Sequence, residues 1–189
     1  MSVTRPNDDD YYVEPWSDTF LQGDLFIDVP FAVPAPPDAV FMSEGDRRFL
    51  SGPFDAGPAM LISPSCTIAA QGSPPGTYAM PARSLIPIRP LFELEEASVI
   101  TDKNIGNLRA DRLRNYLYLP AGGPLADESV ALLYMPTTMH HDVIAEDRRA
   151  QLTGIAYHHL RVKLIAYATG LVIDPDVLGQ PPKSTDRND

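Results

Sequence analysis

Residues 22–31, QGDLFIDVPF, decide how the rest of the chain is read. Gly23 and Asp24 supply turn chemistry, and the stretch behind them alternates. Leu25, Ile27 and Val29 fall on one face, Phe26 and Asp28 on the other. That period of two predicts a half-buried strand. Working outward, similar short stretches follow. AMLIS (59–63) is a continuous apolar run and reads as a buried strand. Another strand is expected near 84–88, where neighbouring prolines suggest an edge or a bend. NYLYLP (115–120) sets Tyr116 and Tyr118 against Leu117 and Leu119, and SVALLYM (129–135) reads as a further strand. The Pro/Gly-rich excursion 32–58 has room for a hairpin at 39–42 and 48–50. QGSPPG (71–76) is a turn by composition.

The pattern changes after residue 140. Thr153 is a candidate N-cap for a helix running to about Thr169, with Gly170 beyond its end. Leu152, Ala156, Leu160, Leu164 and Ala168 recur every four residues, which predicts one buried side. Asp142 suits the N-cap of a short helix through Glu146 and Arg149. Residues 1–19 read as a polar arm that Tyr11, Tyr12 and Trp16 could anchor, 20–172 as one domain and 173–189 as a polar tail. The expected class is mainly β (α+β), closing on an amphipathic helix.

Composition narrows the function. A chain of 189 residues with 44% hydrophobic residues can build one core. Its 20 prolines against 12 glycines favour loops and short strands over long helices. A formal net charge of −10 disfavours a general nucleic-acid or anionic-membrane surface, which would be rich in Lys and Arg. A local basic patch around Arg109, Arg112, Arg114, Arg161 and Lys163 is the exception to weigh. One cysteine excludes an internal disulfide framework and a Cys-based zinc site. MSVTRPNDDDYY lacks the apolar core of a signal peptide, and no run approaches the roughly 18 apolar residues of a membrane span. A soluble cytoplasmic protein is expected.

Gly23-Asp24 before an alternating strand, Ser63 with Cys66 after an aliphatic one, Tyr116-Leu117-Tyr118-Leu119-Pro120 and the 153–169 helix occur in that order. The order resembles the PemK/MazF-like proteins, and within them a less-described bacterial and phage group. The resemblance covers about residues 22 to 170 and implies an SH3-like barrel with long Pro/Gly-rich loops. Family endoribonucleases carry an Arg before the proline of the second core strand. Here Gly57 precedes Pro58, and the Asp expected after the cysteine is Thr67. The resemblance therefore carries fold further than activity.

The chemistry-bearing residues give few signatures. Cys66 follows a buried strand and pairs with no histidine motif, so packing is its expected role. MHHD and YHHL make His140, His141, His158 and His159 the weak metal candidates. Neighbouring histidines on a helix point about 100° apart, so no metal site is expected. Ser63 and Ser65 lack a nucleophile elbow, and neither a Walker loop nor a dinucleotide fingerprint occurs. A ligand or RNA surface, if there is one, falls to Arg114, Tyr116, Tyr118, Arg89, Ser63 and Ser65, with Arg83 as a further cation. No catalytic residue, metal or cofactor is assigned. The expected function is a non-catalytic binding or regulatory module of phage or mobile-element type, with a protein partner and a candidate homo-oligomer. A PemK/MazF-like endoribonuclease toxin with relocated active residues is the first alternative, and a structural or assembly protein the second.

Overall fold

In a computed structural model, the chain is described over residues 11–15, 19–32, 40–44, 47–51, 54–64 and 82–170. Five strands come first among the described residues: β1 (Tyr12–Val13), β2 (Asp24–Ala32), β3 (Val40–Glu44), β4 (Arg47–Ser51) and β5 (Phe54–Leu61). Then come β6 (Ala82–Pro90), α1 (Leu91–Glu96), α2 (Asp102–Arg109), β7 (Tyr116–Leu119), β8 (Ser129–Leu132) and β9 (Thr137–His140). The last elements are α3 (His141–Ile144), a 3₁₀ turn (Ala145–Asp147), β10 (Arg148–Leu152) and α4 (Gly154–Thr169). The expected hairpin is β3–β4, a two-stranded sheet of its own. The other strands form one antiparallel sheet of eight, in the order β1-β10-β2-β5-β6-β8-β7 with β9 also on β6. That path is open, with β1 and β7 at its two ends. The fold is thus mainly antiparallel β with a few helices.

The sheet has apolar residues on both faces. Leu25, Met60, Ile86, Ile88, Leu117 and Leu119 meet Ala156 and Leu160 of α4 in one core. Strands far apart in the sheet order share that cluster, so the sheet curls around it. The opposite face carries one cluster with Phe26, Phe31, Leu61 and Leu85, and another where Tyr118 and Val130 pack under Leu94 and Leu108 of the first two helices. No described helix is long and apolar enough to cross a membrane.

Several expectations need correction. Val29 does not share a face with Leu25. Register slips between Phe26↔Ala59 and Val29↔Gly57, and Asp28 takes a left-handed φ of 55°. One extra residue inverts the alternation, so Val29 and Phe31 join Phe26 on the far face. The strand at 82–90 is central rather than an edge, since it pairs with β5, β8 and β9. Pro87, in its interior, is tolerated because of where it falls. Leu91 donates to the Glu128 carbonyl, so odd residues of β6 face the β8/β9 side. Pro87 therefore lies in the gap between Leu85↔Thr137 and Ile88↔Ala131, where a missing N–H leaves no bond unmade.

The short helix expected from Asp142 through Arg149 is shorter. His140 is its N-cap, it ends at Ile144, and β10 begins at Arg148. Leu152 consequently belongs to a strand; of the expected repeat on α4, Ala156 and Leu160 are buried, Leu164 is half-buried and Ala168 is exposed, while Lys163 and Ala166 are buried as well. Within the segment read as an arm, Tyr11 is buried and Tyr12–Val13 pairs with β10, so these residues enter the sheet. Trp16 lies outside the described residues.

Candidate binding site at the sheet seam

The open ends of the sheet approach each other without a ladder between them. Tyr12 on β1 donates its hydroxyl to the carbonyl of Pro120, just past β7, at 2.8 Å. Its ring lies over Gly123, which has a φ of 51°. A Cβ there would stand 2.9 Å from the Tyr12 Cβ, so glycine serves both the turn and the contact. A side chain thus bridges the seam where backbone hydrogen bonds do not.

Beside the seam is a cleft of about 510 Å³. Tyr12, Val13 and Glu14 line one side, Gly123 and Pro124 another, and Ile27, Arg149 and Ala150 complete it. Two bulges shape this floor. One is the slip at Ile27–Asp28. The other falls between Arg148↔Phe26 and Ala150↔Leu25, leaving Arg149 as the extra residue on β10. Bulges re-aim side chains. Arg149 is exposed, and its Nη1 donates to the carbonyls of Glu146 at 2.6 Å and Arg148 at 3.1 Å. Ala150 belongs to the enclosed core, so the cleft lies over one margin of that core.

The adjacent residue has the opposite fate. Arg148 turns inward, where its Nε lies 2.9 Å from an oxygen of the fully buried Asp24. Its guanidinium also sits 5.5 Å from the centre of the Phe20 ring. Burial raises the Asp24 carboxyl to about 6, a rise that the Leu21 N–H and Arg148 partly oppose. Asp24 and Arg148 therefore tie β2 to β10 across the bulged pair. Gly23, with a φ of 94°, lets the chain reach this position, since a Cβ would meet the Leu152 and Leu160 side chains at 3.3 and 3.4 Å.

The residues singled out in the sequence are not brought together. Arg114 donates to the Tyr167 carbonyl at 2.7 Å and lies over that ring, capping the end of α4. Arg89 pairs with Asp55 at 3.0 Å. Tyr116 packs edge-on to Tyr134, while Tyr118 is buried with its hydroxyl on Glu128. Both tyrosines belong to the cluster beneath α1 and α2. Ser63 accepts from the Ser84 N–H at 2.8 Å, and Arg83 is almost fully buried. Ser65 and Cys66 lie outside the described residues. The candidate basic patch is dispersed: Arg109 holds Glu128, and Lys163 is buried against the Asp111 carbonyl.

The histidines are likewise separated by role. His140 accepts from the Asp142 N–H through Nδ1, and His141 is buried with its ring 4.3 Å from that of Phe20. Burial, aided by Arg83, lowers the His141 pKa. His158 and His159 lie on α4. Among the described residues, no group of three or more His, Cys, Asp or Glu could hold a metal ion.

Sequence reasoning missed Arg149, Ile27 and Gly123 as site residues. Gly122-Gly123 did signal a turn, but nothing in the sequence connects it with Tyr12. No protein-family model matches the chain, and no curated protein matches it.

Proposed function

We propose that the protein is a non-catalytic binding module whose partner, a protein, engages the seam cleft. The observation that carries this reading is the cleft itself, where two neighbouring bulges aim Ile27 and Arg149 at a space bordered by Tyr12 and Pro124. Its volume, about 510 Å³, suits a ligand of a few residues. Relationship to PemK/MazF-like SH3-like barrels of phage or mobile-element type belongs to the same proposal. The curl of the sheet around one core and the closing helix support it. Arg89 and Arg114, the cations a relocated nuclease site would recruit, are engaged by Asp55 and by the end of α4, which favours binding over RNA cleavage.

The test is a random-peptide display selection on the folded protein, repeated on Ile27→Arg. Enrichment of peptides whose binding the substitution abolishes supports the module. Failure to enrich, or cleavage of an unstructured RNA that disappears in Arg89→Ala or Arg114→Ala, rejects it in favour of the nuclease.

A further inference from the structure

We propose that the seam cleft captures the C-terminus of a partner peptide ending in an apolar residue, with the terminal carboxylate on Arg149. The inference rests on the cleft being the binding site, and it adds what the cleft recognises.

Arg149 is prepared for such a contact. The two carbonyls behind it engage Nη1, which orients the guanidinium from one corner. Arginine has five N–H donors in a planar fork, and a carboxylate matches two of them side by side. It is also the cation among the described residues that line the cleft.

The walls define the rest of the ligand. Val13, Ile27, Pro124 and Ala150 offer apolar surface for a terminal side chain. Glu14 stands in the same cleft and opposes a second negative charge, so a phosphate monoester or a polyanionic strand meets repulsion that one carboxylate largely avoids. The backbone favours a peptide over a free acid. Thr153 donates to the Tyr11 carbonyl, so Gln151 and Thr153 turn the same side of the backbone towards β1. The β1–β10 ladder stops at Val13↔Gln151, just short of the bulge at Arg149, so the part of β10 beside the cleft lies beyond the paired stretch of that edge. An extended peptide laid there can add main-chain hydrogen bonds to the contacts of its last side chain.

The experiment titrates the isotopically labelled full chain with acetyl-Ala-Ala-Leu bearing a free carboxylate, followed by amide NMR shifts. The same peptide as its C-terminal amide and N-acetyl-leucine are run beside it. The acid should shift Val13, Ile27 and Arg149, and the amide should bind about tenfold more weakly, the loss expected for one charge-assisted contact. Arg149→Gln should reproduce that loss with an unchanged melting temperature, and the acid–amide comparison in the wild type needs no variant. Equal affinity of acid and amide, with cleft residues shifting in both, overturns carboxylate capture while the binding module stands. N-acetyl-leucine binding as tightly as the tripeptide overturns the peptide assignment. If no probe shifts a cleft amide at millimolar concentration, carboxylate capture fails, and a failed display selection removes the module with it.

Discussion

One core is covered in two ways. Against α4 it is covered by packing: Ala156 and Leu160 are fully buried, Gly23 is pressed against Leu152 and Leu160, and Arg114 caps the helix end. At the seam the cover is thin, with one tyrosine hydroxyl, one glycine turn and a two-residue strand beside a cleft. The difference teaches where a small β protein can place a site. Regions dense in buried contacts hold the global stability, and binding surfaces come from the margins that contribute least to it.

The contrast breaks first at the helix. Leu160→Ala should lower unfolding free energy by about 2–5 kcal/mol, read from the denaturant midpoint, because it removes a fully buried side chain from the shared core. A loss below about 1 kcal/mol would mean that α4 covers less than its packing indicates.

The next effect concerns β2 and β10, the strands common to both regions. Asp24 has a folded-state pKa of about 6 against an ordinary 3.8, so the folded protein holds this proton more tightly than the unfolded chain. Its contribution to stability is fully present below the unfolded value and is lost as pH rises through about 6. The loss amounts to about 3 kcal/mol, and the ion pair with Arg148 does not reverse its sign. Denaturant melts of wild type and Asp24→Asn between acid and neutral pH should show the gap between them change by that amount. A wild type that instead gained on the variant as pH rose would show that the ion pair outweighs burial.

Smaller effects sharpen the seam. Tyr12→Phe should cost about 1 kcal/mol by removing the hydrogen bond to Pro120. Gly123→Ala should cost at least as much, since φ is positive and the new Cβ meets Tyr12. If the two substitutions add without coupling in a double-mutant cycle, Tyr12 and Gly123 do not act as one contact. The smallest effect is at Arg149, where Gln should change stability by less than about 0.5 kcal/mol, because the residue is exposed.

What was legible in the sequence follows the same division. The strands at 59–61, 117–119 and 130–132 and the helix at 154–169 were readable because their buried positions, Lys163 apart, are apolar and locally spaced. RRAQL was not readable as a strand, since its two arginines mask the buried Ala150 and Leu152. Only the fold reveals that Arg148 is neutralised by Asp24 and Arg149 is displaced by a bulge. The flip of Val29 was hidden too, because an extra residue in a strand leaves composition untouched while reversing every face after it. The expected site residues failed for a related reason. Arg89, Arg114 and Tyr118 look available in one dimension, but their partners Asp55, Tyr167 and Glu128 arrive from other elements.

The pairing of β1 with β10 also sets an order of assembly. Tyr12 aligns with Leu152, so the first described strand has no ladder partner until residues near 150 have left the ribosome. Contacts so distant in sequence carry a large loop-closure cost and tend to form late. During synthesis Tyr11 and Tyr12 must wait unpaired while the β2–β5–β6 meander can already assemble. The seam is then the final stitch of folding. A nascent chain arrested before β10 should present those two aromatics to chaperones, whereas a completed chain conceals Tyr11 and tethers Tyr12.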